Sequence, residues 1–329
     1  MKLRTLLLVC GAAFISQNLY AGRAPTQPNS YDGIAPTARA MAMGEAGAAQ
    51  ITSKDSFYYN SSALAYMSGA HAAFSAVIMR KSAQQPSETA KFDPAGQGLT
   101  TVFLIKDSGV LAWQALSDNT IIKYNPDGSW EKAETYINAI TFAAGQKNDY
   151  GFSIGLNLTY LYGKIGESRL DSNMKPYSNI ASGNGFTFDL SFLFPAGNGI
   201  YFGLNLKNIA GFMFWDDYNT EQLPFTVRTG VGYVYRGLAF DIDYDRKFYR
   251  FGDLQESNFY MGVEQYLNSF IVLRAGVSSD ENFTSDTMKY SYGLAFKLKG
   301  YEFSFASQQY KINNSDFSKY VLSFNASVS

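Results

Sequence analysis

The side chains able to do chemistry are few, and they are poorly placed for catalysis. His71 is the only histidine. A histidine base works beside a serine, cysteine or carboxylate within hydrogen-bond reach, and no Ser or Asp spacing around His71 marks such a partner. It stands at the start of the first strand-like segment and reads as structural, so no catalytic residue and no enzyme activity are expected. The single cysteine, Cys10, falls in the N-terminal leader. Without it there is no thiol for a disulfide, a nucleophile or a metal ligand, which suits an oxidising compartment. Asp216-Asp217 follows Phe212-Met213-Phe214-Trp215 on a long link and lacks further ligand spacing, so no metal and no cofactor are expected there. Asp241, Asp243 and Asp245 alternate, and alternate residues of a strand share a face. Two readings of that face stay open: a cation or substrate site, or a hydrated wall answered by Arg228 and Arg246.

Such groups act only where regular elements hold them, and the composition indicates which elements these are. Lysine and arginine number 27 against 28 acidic residues, a net charge of -1, so nucleic acid is not an expected partner. Beyond the N-terminus no apolar run approaches the roughly 18 residues of a membrane helix. Aromatic residues make up 16% of the chain, and glycine (29) far exceeds proline (9), a composition of strands and turns. Residues 1–21 read as a signal peptide cleaved near Ala21, with Lys2 and Arg4 ahead of an apolar stretch from Thr5 to Ile15. Residues 22–68 differ in texture from the remainder of the chain. A proline-bearing lead precedes Thr37–Ala48, which is small, Met-bearing and glycine-interrupted, and then Ser56–Met67. This reads as a small element packed in a confined space.

From residue 69 to 329 the texture becomes alternation. Phe152, Ile154, Leu156 and Leu158 alternate with Ser153, Gly155 and Asn157; Phe186, Phe188 and Leu190 alternate with Thr187 and Asp189. Period two of this kind marks strands with one apolar and one polar face. About fourteen strands are expected, the first near 69–80 and the last near 318–328, including 109–118, 183–195 and 198–208. Short turns at Lys106–Ser108, Gln146–Asp149, Ala196–Asn198, Arg236-Gly237, Asn268-Ser269 and Lys299-Gly300 alternate with long links near 81–97, 119–132, 165–182, 209–224, 249–256, 280–287 and 312–317. Such sorting belongs to a transmembrane antiparallel β-barrel, with short periplasmic turns and longer outer loops. Two-residue turns at Arg236-Gly237 and Lys299-Gly300 set Arg228 opposite Asp245 and Lys297 opposite Glu302. A three-residue turn at 268–270 sets Glu264 opposite Arg274. Opposite charges then meet on the inward face, where they support register.

Several segments resemble a known family. Ala38-Arg39-Ala40-Met41-Ala42-Met43-Gly44-Glu45-Ala46 resembles the opening of the PorV/PorQ (UPF0164) family, part of the wider FadL-like group of outer-membrane barrels. Tyr59-Asn60-Ser61-Ser62-Ala63-Leu64-Ala65 is similar to its next element. Leu204–Ile209, Leu223–Gly230, Gly262-Val263-Glu264 and Leu273–Gly276 resemble its later signatures, so the likeness spans nearly the whole mature chain. Ser61 stands where the family has Pro, Glu45 where it has Gly, and the chain ends without the aromatic residue common in bacterial barrels. The last departure bears on recognition by the insertion machinery more than on fold. The resemblance implies a barrel in the bacterial outer membrane, surrounded by lipid, with residues 22–68 as a hatch inside it. Within the hatch Arg39, Met41, Met43, Gly44 and Asn60 would gate, bind or pack against the wall. The implied activity is uptake of small hydrophobic molecules such as fatty acids. Protein export or surface attachment, with secretion-machinery proteins as partners, is the alternative, and a structural barrel without transport is the third.

Overall fold

A strand inside hydrocarbon must satisfy every backbone N–H and C=O through its neighbours, and only a closed sheet does so at both edges. The computed structural model describes residues 35–82, 90–93, 98–124, 129–170, 175–249, 255–284, 287–312 and 315–328; the expected signal peptide lies outside them. Fourteen long strands run in order along the chain: β1 Ala70–Ser82, β2 Gly98–Lys106, β3 Gly109–Tyr124, β4 Trp130–Lys147, β5 Ser153–Leu170, β6 Pro176–Gly197, β7 Ile200–Trp215, β8 Phe225–Tyr235, β9 Leu238–Phe248, β10 Gln255–Tyr266, β11 Ile271–Asp280, β12 Lys289–Leu298, β13 Tyr301–Ile312 and β14 Ser315–Val328. Two short pieces, Ala90–Asp93 and Glu221–Gln222, pair onto β3 and β7. Each long strand pairs antiparallel with the next, and β14 closes onto β1 from Ala70↔Val328 to Ser82↔Phe317. The molecule is a fourteen-stranded barrel.

The expected registers are the observed ones: Arg228↔Asp245, Glu264↔Arg274 and Lys297↔Glu302 are direct partners. Arg236 and Gly237 (φ 45° and 83°), like Lys299 and Gly300 (φ 38° and 89°), both occupy the left-handed region. Two consecutive left-handed residues match the twist of a tight hairpin, which fixes the pairing on either side. The outward face is apolar: Leu104, Phe142 and Phe303 are each more than half exposed, as a face turned to lipid requires.

Several strands run further than the alternation indicated. β4 and β5 stay paired out to Trp130↔Leu170, through Glu131↔Arg169 and Lys132↔Ser168. β6 begins at Pro176 rather than near 183, and β7 ends at Trp215 rather than near 208. Segments expected as links at 119–132, 165–182 and 209–224 are therefore largely strand. Both faces of the β5 and β6 extensions toward the long-loop end carry polar residues, so a hydrophobic period has nothing to mark there, whereas the β7 extension, Ile209–Trp215, is apolar and follows an irregularity at Asn208.

Inside the barrel, toward the short turns, sit residues 35–67. Helix α1, Ala38–Ala42, is capped by Thr37, whose hydroxyl accepts from Ala40 N at 3.0 Å. Two 3₁₀ turns come after it, Ser56–Tyr58 and Ser61–Tyr66, the second capped by Asn60, which accepts from Ser62 N at 3.1 Å. Phe57 is fully buried among Leu64, Phe103 and Ile105, its ring edge-on to Phe103 at 5.3 Å.

Room for this hatch comes from missing side chains on the wall. A Cβ on Gly203 would lie 1.9 Å from the Ala48 carbonyl oxygen, one on Gly276 2.1 Å from Gly44 N, and one on Gly155 2.1 Å from Ser62 N. Overpacking typically costs about 1–3 kcal/mol, and here it would fall on the hatch seat rather than on the strand ladder. Gly203→Val is therefore expected to leave a barrel that still migrates heat-modifiably on gels. The hatch should become roughly tenfold more accessible to trypsin at Arg39 and Lys54 (about 1.4 kcal/mol), as read by the cleavage rate of the folded protein.

Candidate functional site: the hatch–wall interface and the divided interior

Strands β8 to β14 present charge to the hatch. Asp243 Oδ2 accepts from Arg228 Nε at 3.0 Å and Nη2 at 2.7 Å, and from the hatch amides of Gly47 at 2.8 Å and Ala48 at 3.0 Å. The Arg228 guanidinium also donates to the Glu45 carbonyl and lies over the rings of Tyr59, at 4.7 Å, and Tyr260, at 4.1 Å. Arg228 thus reaches diagonally to Asp243, although Asp245 is its register partner. Asp245 is already occupied, accepting from Asn258 Nδ2 at 2.9 Å and Tyr260 Oη at 2.8 Å.

A second chain of charges runs toward the short-turn end. Arg39 of the hatch donates to Glu264 at 2.9 Å and lies 3.4 Å from Asp55. Glu264 is shared with Arg274 at 2.6 Å, Arg274 reaches Glu302 at 2.7 Å, and Lys297 lies 3.3 Å from Glu302. Beside this chain a cavity of about 400 Å³ opens between Lys54, Asp55, Lys297 and the turn at Lys299.

The other expected hatch residues take different places. Asn60 ties hatch to wall, donating to Ala48 O at 2.7 Å and Phe192 O at 2.9 Å. Met41 packs with Val77, Ala306 and Val321. Met43 covers Gly262 and Gly276, and Gly44 (φ 62°) lies against the main chain at Val277.

Two readings of the acidic face need correction. Asp241, Asp243 and Asp245 are not a hydrated wall: their exposures are 0%, 0% and 5%, because they lie on the buried face toward the hatch. Arg246 does not answer them, since it points outward and bonds Gln255. Phe212–Trp215, expected on a loop, belong to β7. Phe214 faces outward, whereas Met213 and Trp215 face in. The His71 ring Nε2 bonds the Ser68 carbonyl at 2.8 Å. Among the described residues no three His, Cys, Asp or Glu side chains gather as a metal-ligand cluster.

Met213 and Trp215 reveal the feature that sequence reasoning missed. Toward the long-loop end, the inner wall of β4 to β7 is apolar, built by Leu161, Ile165, Met213, Trp215 and the adjoining Leu223. Its polar anchor is Glu221, which accepts from Trp215 Nε1 at 2.9 Å. The interior is thus divided between an apolar wall and a charged seat for the hatch. The inward glycines were the missed signal for that seat.

No known family model and no curated protein matches the sequence. Among solved structures, the chain is similar to the toluene transporter TbuX of Ralstonia pickettii, at TM-score 0.67 and 12% identity over 91% of this chain and 99% of that one. A Pseudomonas aeruginosa FadL homologue matches at 0.61 and 12%, over 89% and 98%. The Pseudomonas putida toluene transporter TodX matches at 0.58 and 8%, over 89% and 98%. At such identities the likeness is one of fold.

Removing one partner of a buried ion pair costs about 3–5 kcal/mol, because the remaining charge is stranded. Glu264→Leu leaves Arg39 paired to Asp55 and Arg274 to Glu302 but removes the carboxylate between the two guanidiniums, so a loss at the lower end of that range, about 3 kcal/mol, is expected in urea unfolding of the detergent-folded barrel. Lys132→Met, which breaks the partly exposed pair to Glu134, should cost less than about 1 kcal/mol.

Proposed function

We propose that the chain is a FadL-like outer-membrane channel for small hydrophobic molecules, with its short turns in the periplasm and its outward aromatic face in lipid. The divided interior carries this reading. An apolar solute entering from the long-loop end gains about 25 cal/mol for each Å² of apolar surface it buries, and it would meet the cluster of Leu161, Ile165, Met213 and Trp215, buried against one another, which must part to admit it. Below lies the charged hatch interface, which is unfavourable to a hydrocarbon while it is assembled. Passage then requires displacement of the hatch. Arg39, Asn60 and Gly44 fasten it to the wall, and Met41 and Met43 are the flexible side chains that repack as it moves. The similar structures described as toluene transporters support an apolar cargo.

The resemblance at Ala38–Ala46 and Tyr59–Ala65 favours a second reading, that of a PorV/PorQ-like barrel acting in protein export or surface attachment. Co-purification of an exported protein with a barrel that moves no hydrophobic ligand would select it.

The test of the first reading is uptake of radiolabelled toluene and oleate by cells producing the protein. Wild type should exceed the empty-vector rate for at least one of them. Met213→Asp, which puts a carboxylate on the apolar wall, should lower the rate about tenfold, the equivalent of ~1.4 kcal/mol, with heat-modifiable migration unchanged. Uptake equal to the empty vector for both ligands overturns the proposal.

A further inference from the structure

The charge count along the hatch seat is uneven. In the chain that runs to the short-turn end, Arg39, Arg274 and Lys297 balance Asp55, Glu264 and Glu302. On the neighbouring inward face of β9, the ion pair among Asp241, Asp243 and Asp245 is that of Asp243 with Arg228, while Lys247 on the same face pairs with Glu256. Among the described residues Asp241 and Asp245 have no ion pair. Asp245 is served by neutral donors, the Asn258 amide and the Tyr260 hydroxyl.

The oxygens themselves locate where compensation is missing. Asp243 Oδ2 takes four donors, yet its Oδ1 takes none. Both carboxylate oxygens of Asp241 are buried with no hydrogen-bond donor, and the residue is 0% exposed. A bare carboxylate out of water is strongly disfavoured, so something positive must stand there. The residues flanking Asp241 across the ladder are Gly232 and Gly262. Onto their inward sides press two hatch carbonyls: the Ala49 oxygen, 2.8 Å from where a Gly232 Cβ would lie, and the Met43 oxygen, 2.4 Å from that of Gly262. Each glycine flanking Asp241 thus meets a hatch carbonyl oxygen together with the Cβ of the same residue, and the Met43 oxygen also accepts from Ala46 N at 3.2 Å.

We infer that Asp241 and Asp243, with the hatch carbonyls of Met43 and Ala49, hold one divalent cation of the calcium class that pins the hatch to the wall. A shared proton would join only two of the three unpartnered carboxylate oxygens and leave the third bare. A hard cation gathers carboxylate and carbonyl oxygens at once, and Ca²⁺ tolerates the irregular geometry that Mg²⁺ does not. Its positive charge answers the Asp241 carboxylate, which has no ion pair of its own. The glycines have a second role here, since any side chain at 232 or 262 would displace the carbonyl it meets.

The test uses the full chain refolded into detergent from inclusion bodies, free of lipopolysaccharide, and stripped with a chelator. Equilibrium dialysis with radioactive Ca²⁺ should find one tight ion per chain. The thermal midpoint should rise saturably with CaCl₂ at fixed ionic strength, by about 5 °C, since a protein of this size shifts roughly 2–4 °C per unit of stabilisation. Trypsin cleavage at Arg39 and Lys54 should slow in parallel. Asp241→Asn should lose the tight ion and the shift, whereas Asp216→Asn, in an exposed loop, should keep both. Three results overturn the inference: no ion bound to wild type above a detergent control, equal binding by Asp241→Asn, or a midpoint that tracks pH alone. The dialysis on wild type decides the matter even if the Asp241 variant fails to fold.

Discussion

How closely the hatch main chain approaches the barrel wall governs the rest of the interior. A segment with one short helix and two 3₁₀ turns leaves many backbone groups without intrasegment partners, and buried groups of that kind must find others. They find them on the wall. Ser323 Oγ accepts from Ala38 N at 2.6 Å, Ser191 Oγ accepts from Ser62 N at 3.0 Å, and Asn205 Nδ2 donates to Tyr59 O at 2.6 Å. The inward polar residues at this end therefore solvate a polypeptide rather than water. That solvation works only at contact distance, which is why glycines line the wall and alanines dominate the hatch.

The same closeness sets the electrostatics. Buried ion pairs are weak sources of net stability, but they discriminate strongly between arrangements. Arg39 bridges hatch Asp55 and wall Glu264, and Arg228 joins wall Asp243 to the Glu45 carbonyl. A hatch shifted by one residue would strand these charges. The pairs thus select one seat, while the packing of Phe57, Leu64 and Met41 supplies the apolar contribution that holds it.

Register was legible in the sequence because the turns at Arg236-Gly237 and Lys299-Gly300 leave no freedom in pairing. Face assignment was legible at Asp241, Asp243 and Asp245, but not their burial, because alternation names a face without saying what covers it. The extent of β7 was hidden by a local device. Asn208 adopts φ 54° and its N–H donates to Asp189 Oδ1 at 2.8 Å, beside a register shift between Phe188 and Leu190. A turn-forming residue at that point reads as the end of a strand, yet the strand passes through the irregularity to Trp215. A strand ended at Asn208 puts Met213 and Trp215 on a loop, so the alternation alone carries no sign of the apolar inner wall. The inward glycines were visible in the alternation, and their meaning depends on the hatch filling the space they leave.

The attachment of the hatch also limits how it can be moved. Its polar anchors come from β6 (Ser191), β7 (Asn205), β9 (Asp243), β10 (Glu264) and β14 (Ser323). Flexing one strand therefore leaves most of the seat intact. The anchors are unevenly distributed, however: the stretch Thr52–Asp55 borders the 400 Å³ cavity, and Thr52 within it is exposed. Displacement that begins there breaks fewer buried contacts than displacement that begins at Ala38–Ala48, where every anchor is desolvated. A hatch held tightly over most of its length and loosely at one border opens by peeling, and the Arg39–Asp55–Glu264 junction is the first strong interaction such peeling meets.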